Sequence, residues 1–444
     1  WLCETLPMTA TALLGAAAAV VFQVADAKTV FAPFADPLIF LFIGSFILAR
    51  ALFVRHLDKR VAFTVLSWKV IGGRPSRILF AFGAVTAFMS GWMSNTATTA
   101  MMFAIGLSII SFLKRQEKET GIKIKPSYAT AVMLMTSFSA SIGGVATPIG
   151  TPPNVIGIGF IRSLGGTDIS FFNWMQIGVP VVVILFLFLW FYLNKLAPAG
   201  VKVISGSSEM LAAERDKLGP WTRGQRSVAI AFGVTVILWI VPGIIALVMG
   251  EQSAQYKVLN SRLPESVGAL IGAMLLFVLS GDETGEKAIS WADAVKIDWG
   301  VIFLYGGGFA LGVLSFQTGL AEAVGRGLTE ILPFSGGFGL LVASVLVAVI
   351  VSETTSNTAS ANMVVPVVIA IAQSQNADPF IPALGATLAA SLGFMLPVST
   401  PCNAIVYGSG YIPLMKMVRY GILLDIVGSI VIIATVWTLG GYLR

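Results

Sequence analysis

The sequence predicts an all-α polytopic membrane protein, an inverted-topology repeat with two re-entrant hairpins and two broken helices. Of its 444 residues 56% are hydrophobic and 11% charged, and the mean hydropathy is +0.86. A soluble domain carries about 25% charged residues. The apolar runs are continuous rather than alternating, which favours membrane helices over the strands of a barrel. The second observation is that two polar motifs recur inside apolar stretches.

These motifs divide the chain into two similar halves. Ser94-Asn95-Thr96 and Ser356-Asn357-Thr358 lie 262 residues apart, inside separate apolar segments. Each is followed by a further interruption of an apolar segment. These interruptions are Gly150-Thr151-Pro152-Pro153-Asn154 in one half and Ser399-Thr400-Pro401-Cys402-Asn403 in the other, and they lie 249 residues apart. Interrupted membrane helices at matching places in two halves are a strong sequence indication of a transporter binding site.

The apolar segments follow a similar order in the two halves, although the first half has one span fewer before its hairpin. Full spans are predicted at 8–25, 37–54, 173–195, 226–249, 265–280, 299–318 and 418–441. Segments 127–162 and 380–417 are broken by Gly, Pro and Asn, and segments 80–113 and 333–374 are interrupted by the Ser-Asn-Thr motifs. Three spans precede the hairpin of the second half but only two precede that of the first. One repeat helix is therefore expected ahead of Trp1.

The basic residues indicate which segments turn back. Segment 80–113 is flanked by basic residues on both sides, so both ends should be cytoplasmic and the chain should turn at Ser94-Asn95-Thr96. Segment 333–374 has few basic neighbours and should enter from the external side. The loops 196–225 and 281–298 are assigned to the cytoplasm, and Lys416 and Arg419 predict an external C-terminus. The protein is expected to be a multi-pass protein of the plasma (inner) membrane.

Composition also excludes several classes of function. No basic segment is interleaved with aromatic residues, so the net charge of +6 reports membrane topology rather than a nucleic-acid partner. Two cysteines, Cys3 and Cys402, and the single histidine, His56, provide neither a disulfide framework nor a transition-metal site. No phosphate-binding loop and no nucleophile paired with a base is present. The chain is therefore predicted not to be an enzyme and to need no organic cofactor.

The motifs have the chemistry of an anion and cation site. Half-helix N-termini, Asn amides and Ser or Thr hydroxyls donate hydrogen bonds to a carboxylate, while unwound carbonyl groups suit Na⁺. No Arg or Lys is close to the motifs in sequence, which favours neutralisation of the anion by co-bound cations. Two equivalent tips suggest a small ligand with two anionic ends. The alternative is that the small residues of the motifs serve only close helix packing. The roles of the ionisable residues Glu353 and Asp425 stay open.

The paired Ser-Asn-Thr motifs and the Thr-Pro breaks resemble those of the divalent anion–sodium symporter (INDY-type) family, which carries dicarboxylates and citrate. The similarity covers nearly the whole chain. It implies a homodimer in which each protomer has a scaffold domain and a transport domain that slides as an elevator. One departure from the repeat is Cys402, which stands where the first half has Pro153.

The resemblance also assigns candidate ligands. The first Na⁺ site would use Ser90, Ser94, Asn95 and Gly150, and the second Ser352, Thr355, Asn357 and Ser399, several of them through backbone carbonyl groups. Substrate contacts would come from Ser94, Asn95, Thr96, Thr151, Pro152, Ser356, Asn357, Thr358, Thr400 and Pro401.

The resemblance likewise divides the chain into domains. Scaffold helices are expected at 1–54 and 226–318, and transport-domain hairpins with their broken helices at 80–162 and 333–417. Segment 173–195 ends the first repeat, 196–225 is a cytoplasmic linker and 418–441 is the last membrane helix.

The expected function is sodium-coupled symport of C4-type dicarboxylates such as succinate, malate or fumarate. A sodium-independent dicarboxylate exchanger, or a carrier of citrate, tartrate or sulfate, remains an alternative. An anion channel would also use re-entrant hairpins, although channels usually place their filter between subunits.

Overall fold

The computed structural model describes residues 6–121, 123–331 and 336–443, which form helices joined by short connections. Within these ranges there is no β-strand, only one isolated bridge between Ser280 and Lys287. The prediction of an all-α protein is confirmed. Residues 1–5, including Cys3, and the predicted start of the second hairpin at 333–335 lie outside the described residues.

The first half, with the linker that follows it, contains ten helices among the described residues. They are α1 (Met8–Val21), α2 (Ala27–Phe31) with a 3-10 turn at Ala32–Ala35, α3 (Pro37–Val54), α4 (Leu57–Leu66), α5 (Pro75–Ser90), α6 (Asn95–Thr120), α7 (Pro126–Gly144), α8 (Pro152–Gly165), α9 (Phe171–Leu196) and α10 (Ser207–Asp216).

The second half contains eleven helices in the part of the chain described. They are α11 (Arg223–Met249), α12 (Ala254–Arg262), α13 (Glu265–Val278), α14 (Trp291–Ala294), α15 (Trp299–Gln317), α16 (Leu320–Ile331), α17 (Gly337–Thr354), α18 (Asn357–Ser374), α19 (Phe380–Ala389), α20 (Pro401–Tyr407) and α21 (Leu414–Leu439), followed by a 3-10 turn at Gly440–Leu443.

In the described part of the chain, seven helical segments are long and apolar enough to cross a membrane, or eight if the bent pair α12 and α13 counts as one span. These segments include α6 and α17, which the charge pattern assigns to hairpins, so helix length alone does not separate a crossing arm from a re-entrant one. Span 37–54 coincides with α3. Span 8–25 is shorter than predicted, because the chain leaves the helix after Val21 and Gln23 adopts a left-handed conformation with φ 56°.

Four connections interrupt the helices where the motifs lie. The first tip (Ser94-Asn95-Thr96) joins α5 to α6, and the second tip (Ser356-Asn357-Thr358) joins α17 to α18. The first break (145–151) separates α7 from α8, and the second break (390–400) separates α19 from α20. Pro152 and Pro401 occupy the first positions of α8 and α20, where the missing N–H has no intrahelical acceptor to lose.

Helix packing brings the two halves together at these connections. α5 and α6 pack on α7, while α17 and α18 pack on α19. α8 of the first half packs on α18 and α19, and α20 of the second half packs on α6 and α7. The close approach of α5 and α7 depends on Gly143, where a Cβ atom would overlap the backbone of Ala87. The broken helix of each half is thus held against the hairpin of the other.

Candidate functional site

The two tips and the ends of the two breaks line one cavity of about 770 Å³. Every residue predicted to contact substrate lies on its wall, although the residues come from four separate parts of the chain. These residues are Ser94, Asn95, Thr96, Thr151, Pro152, Ser356, Asn357, Thr358, Thr400 and Pro401. Of the residues predicted to bind Na⁺, the cavity wall also includes Gly150 and Ser399.

Four helices begin at this cavity. Ser94 caps α6 by accepting a hydrogen bond from the backbone N–H of Ala97 at 3.2 Å, and Ser356 caps α18 through Ala359 at the same distance. Thr400 caps α20, and Thr151 stands at the start of α8. The first turn of a helix has backbone N–H groups without intrahelical acceptors and the positive end of the dipole. The wall therefore offers several partial positive charges to an anion.

Oxygen atoms converge beside the first tip. The Asn95 amide places one polar atom 2.7 Å from Ser90 Oγ, 3.1 Å from Ala140 O and 3.2 Å from Gly150 O. With its nitrogen there, Asn95 donates to these oxygens; with its oxygen there, it accepts from the Ser90 hydroxyl and four oxygens come together, an arrangement that suits a hard cation. Three of the four residues predicted for the first Na⁺ site are thus in contact. Sequence reasoning missed the carbonyl of Ala140.

A similar cluster lies beside the second tip. Ser352 Oγ lies 2.8 Å from Asn357 Oδ1 and 2.9 Å from the carbonyl oxygen of Ala390. The other two predicted ligands have their hydroxyl groups engaged elsewhere. Thr355 donates to the carbonyl of Val351 at 2.7 Å, and Ser399 donates to Glu353 Oε2 at 2.5 Å. Only their carbonyl groups, or a turned Ser399 hydroxyl, could contribute to a cation site.

These donor sets fit Na⁺ better than a transition metal. They consist of hydroxyl, amide and carbonyl oxygens, which suit hard cations. Among the described residues there is no group of three or more His, Cys, Asp or Glu side chains able to hold a metal ion.

Two asparagines fix the shape of the breaks, and sequence reasoning gave them no role. Asn154 Nδ2 donates to the carbonyls of Gly144 at 2.9 Å and Thr147 at 2.8 Å. Asn403 Nδ2 donates to the carbonyls of Gly393 and Leu396, both at 3.0 Å. Asn154 and Asn403, Gly144 and Gly393, and Thr147 and Leu396 form three equivalent pairs. The residues of each pair are 249 positions apart, which is also the spacing of the breaks. This shared spacing was the signal that could have identified the two asparagines.

Glu353 also supports the second break. Its Oε1 accepts a hydrogen bond from the backbone N–H of Met395 at 2.7 Å, in addition to the bond from Ser399. The repeat spacing of 262 places Gly91 at the equivalent position of the first half, so this support belongs to one half only. Asp425, from α21, is 4% exposed, and neither oxygen of its carboxylate has a hydrogen-bond partner among the described residues.

The cavity wall also includes two basic residues, Arg50 of α3 and Lys296 ahead of α15. The sequence showed no Arg or Lys near the motifs, because both residues are distant along the chain from either tip. The fold brings them to the cavity.

Comparison with known proteins decides the family. A family model described as the sodium:sulfate symporter transmembrane region matches residues 1–443. The chain belongs to this family. The resemblance found in the paired motifs is thereby confirmed. Relatives in this family are named as transporters, so the chain is a multi-pass membrane transporter of the sodium:sulfate symporter family and not an enzyme.

Two curated relatives of this family are similar over nearly the whole chain. The sodium-dependent dicarboxylate transporter SdcS of Staphylococcus saprophyticus is 33% identical over 443 residues, which cover 99% of this chain and 83% of that protein. SdcS of Staphylococcus aureus is 32% identical over 441 residues, covering 98% and 83%. Among solved structures, the YdaH transporter of Alcanivorax borkumensis has a TM-score of 0.59 at 12% identity, covering 94% of this chain and 88% of that one. That likeness supports the fold alone.

Proposed function

We propose that this transporter couples sodium to the uptake of C4-type dicarboxylates such as succinate, malate and fumarate. The observation that carries the proposal is the cavity at which both tips and both breaks meet. Two oxygen clusters adjoin it, one beside each tip. Similarity to the SdcS proteins, which are named as sodium-dependent dicarboxylate transporters, points the same way.

The anion would bind between the two tips. Asn95 and Asn357 begin α6 and α18, next to Ser94 and Ser356, which cap them. Each tip can donate hydrogen bonds from hydroxyl, amide and backbone groups to one carboxylate. A ligand with two carboxylates a few bonds apart can therefore satisfy both tips at once. Such a site distinguishes a dicarboxylate from a monocarboxylate, which would leave one tip without an acceptor.

Sodium would bind in the two oxygen clusters and hold the tips in shape. The first ion would draw on Ser90, Ser94, Asn95 and Gly150, and the second on Ser352, Thr355, Asn357 and Ser399. Because Asn95 and Asn357 belong to both a cluster and the anion site, occupancy of one favours the other. This is the reciprocal linkage that symport requires.

Larger-scale features complete the proposal. The broken helices and hairpins would form a transport domain at 80–162 and 333–417, moving as an elevator against scaffold helices at 1–54 and 226–318. Matching hydrogen bonds in the two halves support an internal repeat, and the basic loops support its inverted topology. We further propose a homodimer in the plasma (inner) membrane with an external C-terminus.

The test is uptake of labelled succinate into proteoliposomes with and without an inward sodium gradient. We expect accumulation only with sodium. Counterflow that is indifferent to sodium would overturn symport and support exchange. Sodium-driven uptake of citrate, tartrate or sulfate in place of succinate would reassign the substrate. Flux that never exceeds electrochemical equilibrium of the anion alone would identify a channel.

A further inference from the structure

The cavity has a basic wall that the tips do not explain. Arg50 Nη2 lies 3.9 Å from Asp293 Oδ1, and Lys296 Nζ lies 2.9 Å from the same oxygen. Arg50 and Lys296, called here the cation pair, line the cavity, whereas Asp293 does not. Both come from segments of the proposed scaffold, while the tips belong to the proposed transport domain. The cation pair would therefore belong to the scaffold domain, whereas the anion site would belong to the transport domain.

The cation pair keeps hydrogen-bond donors free for a ligand. Lys296 uses one of its three donors on Asp293. Among the described residues, the buried Nε–H of Arg50 finds no acceptor. A buried donor without a partner is destabilising unless something supplies an acceptor. An anion in the cavity would meet Arg50 through the part of its side chain that stays exposed, 27% of its surface.

The neighbouring acids offset the charge of the cation pair only in part. Hydrogen bonds from Lys296 and Ser290 lower the pKa of Asp293, so it is ionised at neutral pH and neutralises one cation of the pair. Asp298 also lines the cavity, but its carboxylate accepts a hydrogen bond from the N–H of Val301 at the start of α15. There it offsets the positive end of the helix dipole.

We propose that the cation pair is a docking point for a small dianion at the cytoplasmic mouth of the cavity, occupied before an anion reaches the tips from that side and, during uptake, after the anion leaves them. The inference rests on the proposed function, because its ligand is the transported anion. Lys296 is exposed and Arg50 is half-buried, so both can be reached from solution. The end of α3 and the start of α15 lie on the side that the basic loops assign to the cytoplasm, where the anion would enter or leave.

A docking point of this kind acts on association. Charges at a rim raise the rate of encounter and make it depend on salt, while the final complex keeps the same contacts. Removing the cation pair should therefore lower the association rate constant of the anion and leave its dissociation rate constant unchanged. A purely structural role of Arg50 would give a different pattern, with lost stability and faster dissociation.

The experiment is stopped-flow tryptophan fluorescence of succinate binding to the purified full chain at saturating sodium, with ionic strength varied by choline chloride. For Arg50→Gln combined with Lys296→Gln, we expect the association rate constant to fall about tenfold at the lowest ionic strength that still saturates sodium. The difference should shrink to about twofold at 0.5 M, where screening is nearly complete. Arg50→Lys should retain most of the wild-type rate.

Lys118→Gln is the matched control, because Lys118 is exposed near the end of α6 and does not line the cavity. An unchanged association rate in the double variant, or an equal fall in Lys118→Gln, would overturn the docking point. Failure of the proposed function looks different. If the wild-type protein ignores succinate but binds sulfate, the same comparison is made with sulfate, and the docking point stands or falls on that dianion.

Discussion

At the residue scale, the account depends on Asn95 and Asn357, which face both an oxygen cluster and the cavity. Each begins a helix one residue after a serine cap, so its backbone is fixed by the helix and its side chain by the cluster. The fit is tight around Asn95, since a Cβ atom on Gly144 would overlap its amide. Small movements of either amide should therefore affect the cation and the anion together.

We predict that Asn95→Ala and Asn357→Ala each abolish sodium-driven uptake while the protein remains folded. Each substitution removes an amide from a cluster and from the anion site, and a buried amide is worth about 1–3 kcal/mol when its partners are left unpaired. Uptake in proteoliposomes and the elution volume of the purified variants are the measurements. Asn260→Ala, on the exposed face of α12, is the control. Near-normal uptake in either tip variant would contradict the assignment.

The sequence identified the tip residues because they recur with equal spacing inside apolar segments. It could not identify Ala140, since a backbone carbonyl leaves no mark on residue type. It could not place Arg50 and Lys296 at the cavity, because that neighbourhood arises only when α3 and α15 pack beside the tips. The sequence assigns Ser399 to the second Na⁺ site by position and not through its side chain, and in the structure the Ser399 hydroxyl donates to Glu353.

At the element scale, the breaks are fixed structures rather than flexible joints. Asn154 and Asn403 each donate to two carbonyls around the interruption, one of which, in Thr147 or Leu396, also accepts a backbone N–H. Asn403 additionally accepts a hydrogen bond from Ser137 at 2.5 Å, and Asn154 Oδ1 has no counterpart to this bond among the described residues. The two breaks therefore have the same pair of asparagine hydrogen bonds and differ in the bond that Ser137 donates to Asn403.

We predict that Asn154→Ala and Asn403→Ala both lower the melting temperature, and that Asn403→Ala lowers it more. Each removes the side-chain donor from one buried carbonyl, that of Gly144 or Gly393, at a cost of about 1–3 kcal/mol, and Asn403→Ala also leaves the Ser137 hydroxyl without its acceptor. Thermal unfolding in detergent, followed by fluorescence, measures the effect against Asn260→Ala. A loss confined to one half would argue against equivalent breaks.

Helix positions were largely predictable from apolar runs, since α3, α9, α11 and α15 lie close to the predicted spans. The first span was predicted too long, because the sequence stays apolar beyond Val21 while the backbone turns at Gln23. Helices α4, α10 and α14 lie in loops, where the charged residues obscure any helical periodicity of the apolar residues. In the structure α4 packs on α5, α10 packs on α4 and α14 packs on α3.

At the scale of the whole molecule, topology links the two hairpins to transport. If the first hairpin enters from the cytoplasm and the second from outside, their tips meet near the middle of the membrane. The shared cavity agrees with such a meeting. The orientation itself follows from the distribution of basic residues and is open to direct test.

We predict that, in a background with Cys3→Ser, Tyr442→Cys reacts with a membrane-impermeant maleimide in intact cells and Ser205→Cys does not. Tyr442 lies beyond the last helix, on the predicted external side, and Ser205 lies in the predicted cytoplasmic linker; both are exposed. Cys402 is buried and should contribute little background. Ser205→Cys should react only after the cells are permeabilised. The opposite pattern would invert the topology.

The central claim is that one anion site is coupled to two sodium sites, and the coupling ratio tests it most directly. The measurement is the reversal point of labelled succinate flux in proteoliposomes held at zero voltage. With two or more sodium ions per succinate, a tenfold sodium gradient should balance a succinate gradient of about a hundredfold or more. A reversal point that does not move with the sodium gradient would contradict the account.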